Sequence, residues 1–306
     1  MGAARLRPYI PRHQQRIAAH KRCVARAALF LRTDAMSSQL WSAIAVSQVA
    51  LVVGGLMLLW RFGLSARARR TPAALAPWEI SVTDFFMMIW CVIAGGFIAP
   101  FAAGLWLKGH PVAADTSIIM MTALFHLGML AGVIVFKATT GRRSATLPII
   151  SGAPSLNPVL AGLTAYLVTL PIVLGISLVW QVLLKACDVP APAQDAIDIL
   201  RHAHPLPRAL LLVSAIVLAP FTEELIFRAG IFRYTRTRLP RWAALLLPSM
   251  LFGAMHMNLA SFAPLVALGI VFSLAYERTG RISTTIIAHG LFNLTTTLLI
   301  LAGIDV

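Results

Sequence analysis

Long apolar runs separated by short polar linkers dominate the chain. Eight such runs lie at approximately residues 39–60, 84–107, 116–136, 158–184, 208–232, 242–258, 262–277 and 283–303. Most approach or exceed the roughly 20 residues that a helix needs to cross about 30 Å of hydrocarbon. The linkers carry the proline, glycine and arginine residues that are typical of turns and loops. The pattern predicts an all-α fold, a polytopic bundle of about eight transmembrane helices.

The composition agrees with a membrane protein. The chain is 58% hydrophobic and 12% charged, whereas an ordinary soluble domain is about one quarter charged. Its net charge of +15 could indicate nucleic-acid binding, but the basic residues lie mainly in short loops between apolar runs. We therefore expect the anionic lipid bilayer as a partner and no nucleic acid. Three scattered cysteines predict neither a disulfide framework nor a zinc ribbon.

The distribution of basic residues predicts the orientation. The loops after runs 1, 3, 5 and 7, together with the adjoining end of run 5, hold 14 Lys and Arg residues. The loops on the opposite side hold four, Lys108, Lys185, Arg201 and Arg208. By the positive-inside rule, the first side is cytoplasmic. We expect a multi-pass protein of the cell (inner) membrane with both ends of the eight-run core outside.

The start of the chain conflicts with this orientation. Residues 1–35 hold eight Lys and Arg residues and one acidic residue, Asp34, and such a segment resists translocation. Met36 could be the true start, the segment could be an Arg-rich targeting sequence that is removed, or the first run could be re-entrant. We favour a start at Met36 and treat residues 1–38 as a basic tail outside the native protein.

The rest of the chain divides into two parts. Residues 39–204 are expected to hold the first four helices and a linker with a short interfacial helix near 193–201. Residues 205–306 are expected to hold the last four helices. The ionisable side chains within the apolar runs concentrate in this second part.

An ionisable side chain that faces lipid costs several kcal/mol, so one inside a membrane span is a functional candidate. Run 5 holds adjacent carboxylates and an arginine, run 6 a phenylalanine and a histidine, and run 8 a histidine and an asparagine: Glu223, Glu224, Arg228, Phe252, His256, His289 and Asn293. His126, in run 3, has no such partner nearby in sequence, and we interpret it as structural.

The spacing predicts which side chains meet. Glu224 and Arg228 are four residues apart, so they share one helix face and can form an ion pair. Glu223 points about 100° away, towards another helix. His289 and Asn293 also share one face, and Phe252 lies one turn before His256. Pro220 removes a backbone hydrogen bond and predicts a kink beside the carboxylates.

Three motifs, EExxxR in run 5, FxxxH in run 6 and HxxxN in run 8, resemble those of the CPBP family. This family includes type II CAAX prenyl proteases, bacteriocin-processing enzymes and Abi proteins. The resemblance covers about residues 205–300 and implies an intramembrane endopeptidase. It implies that Glu223 is the general base, that His256 helps to hold the attacking water, and that His289 and Asn293 stabilise the oxyanion. Glu224, Arg228 and Phe252 would be supporting residues.

The chemistry of these residues is compatible with that role. A carboxylate in a low-dielectric cavity suits a general base, and donors aimed at a developing oxyanion stabilise the transition state. Glu223, His256 and His289 are also a ligand set that zinc accepts. A bound Zn2+ and a metal-free glutamate mechanism are both open at this point, and so is the label metalloprotease.

Two other functions compete with protease activity. A transporter could use buried Glu and His as a proton relay, although the inverted repeats of transporters are not found in the sequence. A non-catalytic scaffold for another membrane protein could retain the same fold. If the chain is a protease, we expect a membrane-embedded or lipidated peptide or protein as its substrate, of unspecified identity.

Overall fold

The computed structural model describes residue 46 and residues 49–70, 73–140, 157–190, 199–200 and 204–302. The described residues are 87% helical and form no strand. Residues up to Leu51 belong to a separate unit, so the contacts below concern Val52–Val306. The predicted tail at 1–38 lies outside the described residues, and so does nearly all of the predicted interfacial helix at 193–201.

The described residues form eight helices. Seven of them are long and apolar enough to cross a membrane, and the sixth is shorter, at 15 residues. The predicted helical membrane bundle is therefore confirmed. The helices are α1 Val49–Arg70, α2 Val82–Leu107, α3 Ala114–Thr140, α4 Pro158–Ala186, α5 Pro205–Arg238, α6 Arg241–Met255, α7 Leu259–Thr279 and α8 Ile282–Leu301.

The first helix, predicted at 39–60, extends past its predicted end. It continues to Arg70, through a π-helical segment at Trp60–Leu64 and a final turn at Ala66–Arg70. The arginines that we expected in a loop are therefore helical. Arginine is a good helix former, so a helix can run on past its apolar part into a basic segment.

Small residues bring α2 and α3 together. Gly95 and Cys91 on α2 lie against Gly128 and Gly132 on α3, and a Cβ added at Gly128 or Gly132 would overlap the backbone of α2. Such close backbone contact is typical of membrane helices, which gain little from hydrophobic burial against each other. The contact fixes α3 in the half of the bundle that the sequence motifs do not cover.

The basic end of the bundle, where α1, α3, α5 and α7 finish, is tied together by one buried carboxylate. Glu277 on α7 is 2% exposed and forms ion pairs with Arg236 and Arg241, each at 2.6 Å. Arg241 also donates to the carbonyl of Gly63 at 3.0 Å. Because a buried charge is stable only when it is paired, this network joins α1, α5, α6 and α7.

The loop between α1 and α2 lies across this basic end. Arg233 on α5 donates to the carbonyls of Ala76 and Pro77 at 2.9 and 3.2 Å. Trp78 is fully buried, and its backbone N–H donates to the hydroxyl of Thr237 at 3.0 Å. Arginines that end α5 thus hold this loop against the bundle.

Replacing Gly132 with valine is expected to destabilise the protein because the new side chain would meet the backbone of α2. Overpacking of this kind costs about 1–3 kcal/mol, so the thermal midpoint in detergent should fall. Gly104→Val is the matched control, since a Cβ there meets only the methyl of Met121 at 4.0 Å. Equal midpoints for the two variants, measured by size-exclusion after heating, would contradict the close contact.

Candidate active site

Helix α5 carries the adjacent carboxylates and is not a regular α-helix. It contains two π-helical segments, Ser214–Leu218 and Leu225–Phe232, on either side of a short α-helical part at Ala219–Glu224. In the first segment the N–H of Ala219 bonds to the carbonyl of Ser214, five residues back. Such π segments are frequent at functional sites.

Pro220 leaves one carbonyl of this π segment without a donor on its own helix. In the five-residue register, the carbonyl of Ala215 would accept from residue 220, and proline has no N–H. The side chain of Asn293 on α8 supplies the missing hydrogen bond, since its Nδ2 donates to that carbonyl at 2.7 Å. Gly290 allows the approach, because a Cβ there would lie 2.9 Å from the carbonyl of Ile216.

Glu224 joins α5 to α8 at the centre of the bundle. It is fully buried, and its Oε1 lies 2.8 Å from Arg228 Nη1 and 2.8 Å from His289 Nδ1. The predicted ion pair between Glu224 and Arg228 is therefore present, and the structure adds His289 as a second partner. A carboxylate paired with arginine only accepts, so Nδ1 of His289 is the donor.

Aromatic rings enclose the guanidinium of Arg228. Its Cζ lies 4.6 Å from the ring centre of Phe252 on α6 and 5.4 Å from that of Phe272 on α7. Cation–π contacts stabilise a desolvated guanidinium. The same two rings also contact His289, at centroid distances of 6.0 and 5.5 Å. Phe252 therefore packs around the charged centre.

Glu223 is the more accessible of the two carboxylates. Its side chain is 16% exposed, and its Oε2 lies 3.7 Å from Nε2 of His289. His289 therefore stands between the two adjacent glutamates, with Nδ1 towards Glu224 and Nε2 towards Glu223. Because Nδ1 already gives its proton to Glu224, the second nitrogen faces Glu223 with its lone pair or with a second proton.

His256 occupies the end of the short helix α6. Its Nδ1 lies 2.8 Å from the carbonyl of Phe252, one turn back on the same helix, and its ring stacks edge-on to Phe252 at 4.9 Å. A carbonyl accepts, so Nδ1 is again the donor and Nε2 remains free to accept. Within the described chain, no hydrogen bond or ion pair joins His256 directly to Glu223.

The structure thus links most of the predicted residues. Glu223, Glu224, Arg228 and His289 form one connected group, and Phe252 connects it to His256. Asn293 was predicted to face an oxyanion. Its amide nitrogen instead donates to the carbonyl of Ala215 on α5, which leaves the second N–H of the amide for other partners.

The sequence does not indicate that His126, on α3, lies near this site. It is 7% exposed, and it lies close enough for electrostatic interaction with Glu223, His256 and His289. We interpreted it as structural because it lies about 100 residues from the motifs. Only the packing of α3 on the first half of α5 brings it to this site.

The three predicted zinc ligands, Glu223, His256 and His289, are poorly placed to bind one ion. In the described part of the chain, no three His, Cys, Asp or Glu side chains are grouped closely enough to hold a metal ion. Nδ1 of His256 and Nδ1 of His289 are each engaged by the protein. Their Nε2 atoms and Glu223 do not converge as the ligands of a tetrahedral zinc site would.

Comparison with known proteins supports the resemblance over the second part of the chain. Residues 205–295 match the family model described as type II CAAX prenyl endopeptidase Rce1-like, and the resemblance inferred from the three motifs is confirmed there. The match contains Glu223, His256, His289 and Asn293.

Two curated relatives align with less than a third of the chain. The UPF0177 protein YbdI of Lactococcus lactis is 32% identical over 90 residues, 29% of this chain and 48% of that protein. The "Putative membrane peptidase YdiL" of Bacillus subtilis is 37% identical over 84 residues, 28% of this chain and 34% of that protein. The chain thus spans half or less of each relative's length. No solved structure matches it significantly.

Replacing Glu224 with glutamine is expected to destabilise the fold. The change leaves the buried guanidinium of Arg228 without its counter-charge, and breaking a buried pair in this way costs about 3–5 kcal/mol. Glu223→Gln is the matched control, because Glu223 is partly exposed and has no arginine partner among the ion pairs of the described residues. Thermal midpoints in detergent should separate the two variants. A larger loss of stability for Glu223→Gln would contradict the structural role of Glu224.

The pairing of Asn293 with the Ala215 carbonyl predicts coupling between Asn293 and Pro220. Asn293→Ala alone should cost about 1–3 kcal/mol because it leaves a carbonyl unpaired inside the bundle. In a Pro220→Ala background it should cost less, because the new backbone N–H can reach the same carbonyl. A double-mutant cycle on stability measures this coupling. Strict additivity would show that Asn293 does not compensate for the proline.

Proposed function

We propose that the chain is an intramembrane endopeptidase that hydrolyses a peptide bond of a membrane-embedded or lipidated substrate, with Glu223 as the general base. The observation that carries this proposal is the difference in burial and partners between the two glutamates. Glu224 is fully buried and bound to Arg228 and His289, whereas Glu223 is partly exposed and has only a loose contact at 3.7 Å. Glu223 is therefore the carboxylate that can take up a proton.

The roles of the surrounding groups follow from the path of the proton that leaves the attacking water. Water attacks the scissile carbonyl carbon as its proton passes to a carboxylate oxygen of Glu223. Nε2 of His256 is free to accept from that water, because Nδ1 donates to Phe252. As the C–N bond breaks, the proton on Glu223 passes to the leaving nitrogen. The proton that leaves the water thus passes through Glu223 to the leaving nitrogen.

His289 and Asn293 are the proposed donors to the oxyanion. His289 has given its Nδ1 proton to Glu224, so it donates through Nε2 only when it carries both protons. Asn293 has given one N–H to Ala215 and retains the second. Glu224 fixes the ring of His289, and donors held in place before the reaction are the ones that stabilise a developing charge most effectively.

Metal-assisted hydrolysis is the alternative chemistry at the same site. A bound zinc would polarise the carbonyl and supply a nucleophilic hydroxide. Because the three predicted ligands do not converge, the glutamate mechanism agrees better with the geometry. We also propose that the basic end faces the cytoplasm of the cell membrane, following the positive-inside rule.

Glu223→Gln is expected to abolish cleavage and leave the protein inserted and folded. Loss of a general base lowers the rate by about 10²–10⁴-fold. The measurement is a comparison of membrane peptides from cells that express the wild type or the variant. Glu79→Gln is the control, since Glu79 is an exposed carboxylate of the loop between α1 and α2.

Peptides that are cleaved equally by the wild type and by Glu223→Gln would contradict the role of Glu223. A transporter would instead show solute or proton flux in proteoliposomes that the same substitution removes, without any change in the peptides. A scaffold would show neither effect.

A further inference from the structure

A polar side chain from the half of the bundle outside the matched region lies near the site. Helix α3 presents a buried stripe to the core, formed by Ile119, His126, Met129, Val133 and Phe136. A histidine takes the place of an apolar residue in this stripe. The stripe is otherwise apolar, so packing alone does not account for an imidazole there.

The packing of α3 directs this histidine towards the proposed catalytic centre. α3 lies against the part of α5 from Pro205 to Glu224. His126 is thereby within electrostatic range of Glu223, His256 and His289. These are the groups to which a base, a water-holding residue and an oxyanion donor have been assigned above, so His126 lies within electrostatic range of the place where the substrate would react.

One nitrogen of His126 is available for a ligand. Its Nδ1 is buried and has no hydrogen-bond partner among the described residues. In contrast, Nδ1 of His256 and Nδ1 of His289 are both bound within the protein. A buried polar atom left unpaired costs about 1–3 kcal/mol, and such groups in native structures are frequently functional.

We propose that His126 is a substrate-binding residue whose Nδ1 hydrogen-bonds the peptide backbone of the segment to be cleaved. This inference rests on the proposed function. A segment must lose its helical hydrogen bonds before its peptide bond can be attacked, and hydrocarbon offers no replacement for them. An imidazole can donate to a peptide carbonyl or accept from a peptide N–H, so it suits either freed group.

The first test needs no substrate. In a chain with Cys23, Cys91 and Cys187 replaced by serine, His126→Cys, Leu127→Cys and Val133→Cys are reacted with a small cationic methanethiosulfonate reagent in proteoliposomes. His126→Cys is expected to react fastest, because thiolates form only where water enters. Leu127 is 48% exposed, and Val133, at 6%, is as buried as His126 and so controls for burial alone. Equal rates at all three positions would overturn the placement of His126.

The second test separates binding from chemistry. The probe is a fluorogenic synthetic peptide that copies a sequence cleaved in wild-type but not in Glu223→Gln cells. His126→Leu is expected to raise KM about tenfold with little change in kcat, as expected for one lost hydrogen bond. His126→Asn, which keeps a hydrogen-bonding side chain, should recover part of the difference. A loss confined to kcat, or no change, would overturn the proposal.

The outcomes distinguish this inference from the proposed function. If cleavage persists in Glu223→Gln, then the proposed function itself fails. If Glu223→Gln is inactive while His126→Leu retains the wild-type KM, the proposed function stands and the role of His126 is wrong.

Discussion

The buried carboxylate of Glu224 is the interaction on which the site depends. A carboxylate without solvent is tolerable only when its charge is compensated, and here Arg228 provides the compensation from one turn away on the same helix. That pairing keeps the charge within α5, so the second contact, to His289 on α8, can orient an imidazole. The rings of Phe252 and Phe272 then enclose the guanidinium, which brings α6 and α7 to the same point.

The irregularity of α5 follows from a conflict between helix geometry and proline. The π register at Ser214–Leu218 leaves the carbonyl of Ala215 facing a residue that cannot donate, and Asn293 from α8 satisfies it. Within a membrane such a carbonyl cannot rely on water. The hydrogen bond from Asn293 to the distorted part of α5 therefore joins α5 to α8, the two helices that carry the glutamates and His289.

The sequence predicted the bundle and the charged centre because both depend on strong local signals. Apolar runs of spanning length are rarely ambiguous, and the spacing of four between Glu224 and Arg228 fixes an ion pair on one helix face. Two features could not be predicted. His289 contacts both glutamates because α8 packs against α5, and His126 reaches the site because α3 packs on the first half of α5. Such distances between helices depend on packing over the whole bundle and have no short sequence signature. The first helix also ends later than its apolar run suggests, because arginine does not stop a helix.

The shortness of α6 affects how genetic data on this protein should be interpreted. Its 15 residues extend about 22 Å, less than the roughly 30 Å of hydrocarbon. At its end the imidazole of His256 binds the carbonyl of Phe252, one of the last four carbonyls of the helix, which have no donor within it. An inactive His256 allele would therefore not distinguish a damaged catalytic group from a damaged helix end. Glu223, which no helix end needs, is the position at which a loss-of-function phenotype would report on the proposed chemistry.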